Sequence, residues 1–147
     1  MVKSFDDITQ EWADDSIIDE TDVGPQLLNN AKLHSKYVKY MVENSVLSKK
    51  KLIEYNKLRS IKWDYYNGTM SKEELEERGW KPYLYSVKLK DGIERCLDKD
   101  DDINKLLMSK ALNDESVNAC TVILKELNNR TWALRAWIDY QKYLLGK

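Results

Sequence analysis

Lys51, Tyr55, Arg59, Lys62 and Tyr66 step along the chain by threes and fours. At 100° per residue, that spacing gathers all five within an arc of roughly 80° on one helix. Cations in such a strip can follow a phosphodiester backbone, and tyrosine rings can offer platforms to unpaired bases, whose π-faces are open in a single strand. Lys49, Lys50 and Lys57 add positive charge around the same turns. The chemistry within reach of this set is the capture of single-stranded nucleic acid. The same residues also fit a solvated helix surface whose tyrosines edge a core, and the spacing leaves both readings open. Nothing resembling a helix-turn-helix or a set of base-reading side chains accompanies the strip.

No other group promises chemistry. His34, the single histidine, falls in a helical pattern without a cysteine or a nearby acid, so no metal set assembles around it. Cys96 and Cys120 are isolated, which suits reduced, partly buried thiols better than a disulfide. Gly146-Lys147 is no phosphate-binding loop. The carboxylates are plentiful but sit in solvated clusters, from which a catalytic pair could be drawn anywhere and therefore nowhere in particular. The expectation is a non-enzymatic protein with no catalytic, cofactor-binding or metal-binding residues.

The charge that would draw a polyanion is local. The chain of 147 residues carries a net charge of −1, yet residues 1–24 hold eight acids against one lysine, and residues 25–66 hold nine bases against three acids. A neutral total argues against a polyanionic partner; a basic helix inside it reopens the question. No stretch approaches the roughly 18 apolar residues that span a bilayer. Met1 to Asp7 carry no apolar run behind Lys3, so no signal peptide is visible and the expected setting is cytoplasmic, with no membrane partner.

The elements that must position the strip follow from periodicity and punctuation. Ser4 with Asp7 three residues later opens a short helix to about Ala13. Gly24-Pro25 punctuates, and from Gln26 to Asn67 there is neither Gly nor Pro. This predicts one long helix, or two with a bend near Asn44-Ser45, stopped by Gly68. Ser71 with Glu74 caps a short helix ending at Gly79. Pro82 to Leu89 alternates and is rich in aromatic and branched residues. With Asp91-Gly92 as a turn and Ile93 to Leu97 returning, it predicts a small β-hairpin. Asp100-Asp101-Asp102 caps a helix running to Leu145, with an interruption near Asn113-Asp114 also compatible. The expected fold is mainly α, two long helices flanking a short helix and a hairpin.

Along the last helix, Val117, Cys120, Leu124, Leu127, Thr131, Leu134, Ile138, Gln141 and Leu145 form a 3.5-residue seam. Ala133, Trp137, Tyr140 and Leu144 form a second row beside it. One seam fits an intrachain helix pair, whereas two fit contacts on both sides, as in a ring of identical subunits. Residues 113–147 are therefore expected to be the oligomerisation helix, acting chiefly through Val117, Cys120, Leu124, Leu127, Leu134, Trp137, Ile138 and Leu145. Residues 1–112 are expected to hold the DNA- and partner-binding region of the same unit.

Ile18-Asp19-Glu20-Thr21, Asn29-Asn30 with Leu33-His34-Ser35-Lys36-Tyr37, and Lys62-Trp63-Asp64-Tyr65-Tyr66-Asn67-Gly68 together resemble the UvsY-type recombination mediators of T4-like phages. The tail, with Arg130, Ala133-Leu134, Ile138 and Gly146-Lys147, is similar too. The resemblance implies a ring-like homo-oligomer, roughly of hexamer or heptamer size, that binds single-stranded DNA and has no catalytic activity. It also implies two partners, a RecA-like phage recombinase and the phage single-stranded-DNA-binding protein, the first being loaded onto DNA covered by the second. In that family two basic residues ahead of the Asp-Tyr-Tyr element contribute to DNA binding. Lys62 matches one, Ser60 departs from the other, and Arg59 lies one residue away. The family's C-terminal segment drives self-assembly, in line with the seam. The alternative is a helical oligomeric scaffold that binds no nucleic acid.

Overall fold

The computed structural model describes residues 2–85 and 87–146 and consists of five helices in chain order: α1 (Phe5–Asp15), α2 (Val23–Asn67), α3 (Lys72–Arg78), α4 (Lys90–Asp98) and α5 (Asp101–Leu144). Their ends follow local chemistry. Ser4 Oγ accepts the Asp7 N–H at 3.1 Å, capping α1, and Ser71 Oγ does the same for Glu74 at 3.2 Å, capping α3. Pro25 sits in the first turn of α2, where its missing N–H has no helical partner to lose. Gly68, just past α2, takes φ 77°, a left-handed conformation that glycine adopts without a Cβ clash. Asp100 Oδ1 accepts the Ile103 N–H at 3.0 Å at the start of α5. Neither long helix is broken: α2 runs through Asn44-Ser45, and α5 through Asn113-Asp114.

The chain folds as two units. The first combines the chain up to Leu47 with the chain from Leu112 onward. Its core is Ile8, Leu33, Tyr37, Cys120, Ile123 and Leu127, edged by Trp12, Tyr40, Met41 and Leu124. Two polar pairs cross from α2 to α5 here. Asn30 Nδ2 donates to Thr131 Oγ1 at 3.1 Å, and Asn113 Nδ2 donates to Asn44 Oδ1 at 3.0 Å. The lower-numbered residue of one helix meets the higher-numbered residue of the other, so the pairing is antiparallel, and a one-turn slip would strand buried amides. Tyr37 OH donates to Asp15 Oδ2 at 2.7 Å, tying α1 to α2. Burial pushes the Cys120 thiol up to about 11, which keeps it protonated and inert.

Part of the predicted seam is packed inside this core. Cys120, Leu127 and Leu134 are buried within the chain itself, and Leu124 packs against the same core. Val117, Trp137 and Ile138 are half-buried, and only Leu145 stands mostly exposed. A 3.5-residue seam reports a helix partner without saying whose. Here α1 and α2 supply it. What stays uncovered at the end of α5 is Trp132, Tyr140, Tyr143, Leu144 and Leu145.

The second unit is Ser48–Ala111. Ile93, Leu97 and Ile103 form its core, with Tyr55, Leu58, Trp63, Tyr66 and Val87 packed around them. The predicted hairpin is absent: no strand occurs among the described residues, and Ser86, within the run read as its first strand, lies outside them. Ile93 to Leu97 belongs to α4, and its two aliphatic residues, four apart, are buried on one helix face. Asp91-Gly92 lies in the first turn of α4 rather than at a hairpin tip. Gly92 is small for a packing reason, since a Cβ there would come within 2.5 Å of Val87 Cγ1. The Val87 N–H donates to the Tyr66 carbonyl at 2.9 Å, so the aromatic run ahead of it is laid along the end of α2.

Candidate nucleic-acid interface

The five residues of the predicted strip and the three further lysines all lie on the stretch of α2 within the second unit. Tyr55 packs against the Ile93–Leu97–Ile103 core. Lys51 is half-buried, and its Nζ donates to the Ser109 carbonyl at 3.4 Å. Lys62 is only 6 % exposed. Tyr66 is half-buried, and its OH donates to Asp100 Oδ2 at 2.6 Å. Most of the 80° arc is thus the inward side of α2, with Arg59 half-buried at its margin. Lys49, Lys50 and Lys57 are the exposed cations, and on the other side of the helix they share an arc of about 100°.

Lys62 serves an ion cluster. Its Nζ lies 3.1 Å from Asp100 Oδ2 and 2.9 Å from Asp102 Oδ2, and 4.2 Å from the Trp80 ring centroid. Burial would lower its affinity for a proton, but the bonds to Asp102 and Asp100 outweigh that and raise its pKa. Burial would likewise push the Asp100 carboxyl up. The bonds from Tyr66 OH, the Ile103 N–H and Lys62, with the charge of Lys62, instead hold it below the usual carboxylate range. An ammonium committed to two carboxylates is not available to a phosphate. The sequence signal for this cluster was present in Asp100-Asp101-Asp102, whose capping role accounts for part of Asp100 and conceals the rest.

A pH dependence follows. Because the folded carboxyl of Asp100 is depressed, its contribution to stability is complete above the ordinary carboxylate value of about 3.9. It is lost as pH falls through the lower folded value. The raised Lys62 contributes fully below about 10.4 and loses its contribution only as pH rises through its folded value. The expected result is a melting temperature that falls on acidification below about pH 4, with Asp100→Asn reducing that dependence. An acid limb unaltered in Asp100→Asn would assign it to other carboxylates.

The second unit also holds a ring cluster that periodicity did not reveal. Tyr65 contacts Tyr66, Trp80 and Tyr83 with centroids 5.1, 5.4 and 5.7 Å apart. Tyr66 and Tyr83 meet at 4.9 Å, and Tyr83 contacts Tyr85 at 6.4 Å. Tyr65 OH donates to the Lys81 carbonyl at 2.8 Å. The alternation read as a strand is thus an aromatic loop pinned to the end of α2. Among the described residues no group of His, Cys, Asp and Glu side chains could hold a metal ion, and no helix is long and apolar enough to cross a membrane.

Comparison with known proteins gives a consistent picture. The family model described as "Recombination, repair and ssDNA binding protein UvsY" matches residues 11–147. Crystal structures of the recombination mediator protein UvsY of bacteriophage T4 share the fold. One superposes with a TM-score of 0.80 at 19 % identity, covering 95 % of this chain and 96 % of that one. A second lattice form gives 0.79 at 20 % identity, covering 93 % and 98 %. Among curated proteins no sequence matches the chain.

Proposed function

The chain belongs to the UvsY family of non-enzymatic recombination, repair and single-stranded-DNA-binding proteins, and from that premise we propose that it is a recombination mediator, loading a RecA-like recombinase onto strands covered by a single-stranded-DNA-binding protein in the host cytoplasm. The observation that carries this reading is the exposed cation face of α2, with Lys49, Lys50 and Lys57 open to solvent. Three cations hold a strand weakly. Several such faces in a ring-like homo-oligomer hold it through effective concentration, without any new contact. The ring would form through the uncovered end of α5, and its grip on the strand would loosen the resident protein locally, giving the recombinase a place to nucleate.

The test is the salt dependence of binding to a labelled oligonucleotide. Each phosphate neutralised on a single strand contributes about 0.7 to the slope of log affinity against log salt. The triple variant Lys49→Ala, Lys50→Ala, Lys57→Ala is therefore expected to flatten that slope by about 2 per engaged protomer, and to weaken binding at low salt. Identical slopes for variant and parent would remove this face from the mechanism. Assembly without affinity for DNA at low ionic strength would replace the mediator by a scaffolding oligomer.

A further inference from the structure

The cation face can follow a backbone but has no ring to offer a base. Tyr55 is taken up by the core, and Tyr66 is held by Asp100 and by Tyr83. One aromatic ring of this unit does stand in solvent. Tyr85 is 77 % exposed and rests on Tyr83, and through it on Tyr66 and Tyr65. Such backing fixes a ring, so that little freedom is lost when something stacks on it. Its neighbour Leu84 is 86 % exposed, and Lys81 and Lys88 flank the pair in sequence, both exposed. The Lys88 ammonium is anchored at 2.6 Å on the Asn67 carbonyl, at the last residue of α2.

We propose that Tyr85 is a base-stacking platform for single-stranded nucleic acid, supplying the π-contact that the tyrosines of α2 do not. The inference rests on the DNA-binding reading given above. Continuity supports it: Tyr66, the root of the ring chain, lies on the same helix as Lys57, about 14 Å further along its axis. Charge supports a stacking role over a phosphate-gripping one. The adjacent α3 carries Glu73, Glu74, Glu76 and Glu77, which disfavour a backbone tracked across it, whereas stacking draws on the neutral face of a base. Any base suffices, so the platform is indifferent to sequence.

The experiment compares two labelled strands of equal length, an oligothymidylate and an abasic sugar-phosphate strand, on the full chain and on Tyr85→Ala and Tyr85→Trp. Tyr85→Ala is expected to lose about five- to a hundredfold in affinity for the oligothymidylate, with an unchanged salt slope and unchanged affinity for the abasic strand. Tyr85→Trp is expected to keep parental affinity or exceed it. If the parent binds oligothymidylate and Tyr85→Ala binds it equally well, the stacking role is overturned, and the exposed ring belongs to a protein partner instead. A parent that binds neither strand sinks the DNA-binding reading itself, a result distinguishable from the failure of the platform.

Discussion

Lys62→Ala is expected to lower the stability of the Ser48–Ala111 unit by about 3–5 kcal/mol, the range found when one member of a buried ion pair is removed and its partner is left charged. Asp100 has a side chain only 3 % exposed, and it faces Lys62 at 3.1 Å. Without the ammonium it keeps bonds from Tyr66 OH and the Ile103 N–H but loses its countercharge. It must then either protonate or stay ionised in a site that solvates it poorly. Asp102 loses less, because its side chain is 54 % exposed and water can replace the bond. Urea unfolding followed by circular dichroism measures the loss, and the double variant Lys62→Met, Asp100→Asn is expected to recover much of it, since no charge is then stranded. A loss under about 1 kcal/mol for Lys62→Ala would mean that the cluster behaves as a surface pair. The same experiment bears on DNA. Where Lys62→Ala still folds, its salt slope is expected to match the parent's, because the residue faces two carboxylates rather than a strand.

The helical architecture was legible because its signals are local. Ser4, Ser71 and Asp100 cap the helices they were expected to cap, and Gly68 and Gly79 close theirs in left-handed conformations. The absence of Gly and Pro from Gln26 to Asn67 corresponds to a continuous helix. The hairpin failed because Ile93 and Leu97 are compatible with either period, and the Asp-Gly that tipped the reading toward a turn owes its glycine to the approach of Val87. The facing of α2 was hidden for a related reason. Lysine and tyrosine are amphipathic, so a stripe of them can line a core edge as readily as a solvent face. Only the carboxylates 38 and 40 residues further on, Asp100 and Asp102, decide that Lys62 points inward, and no helical wheel contains them.

The α5 seam poses the same problem of which partner a stripe faces, and here the contrast between two sets of substitutions is large. Leu127 is 2 % exposed among Ile8, Leu33, Tyr37, Cys120 and Ile123. Leu127→Asp is therefore expected to cost the first unit at least about 4 kcal/mol, combining a lost buried aliphatic group with a carboxylate that has no partner. That loss arises within one chain and is expected at any protein concentration. Tyr143 and Leu145 are 78 % and 71 % exposed, so Tyr143→Ser with Leu145→Ser is expected to change the stability of the isolated chain by no more than about 0.5 kcal/mol. If the uncovered end of α5 joins copies, the same pair is expected to shift the assembly to smaller species in sedimentation. Thermal melts across a concentration series, read beside the sedimentation data, separate the two effects. Should Leu127→Asp fold with parental stability yet disassemble, the seam faces a neighbouring copy after all. Should Tyr143→Ser with Leu145→Ser leave the assembly intact, the copies meet elsewhere, because a hydrophobic contact centred on those side chains cannot survive the loss of both.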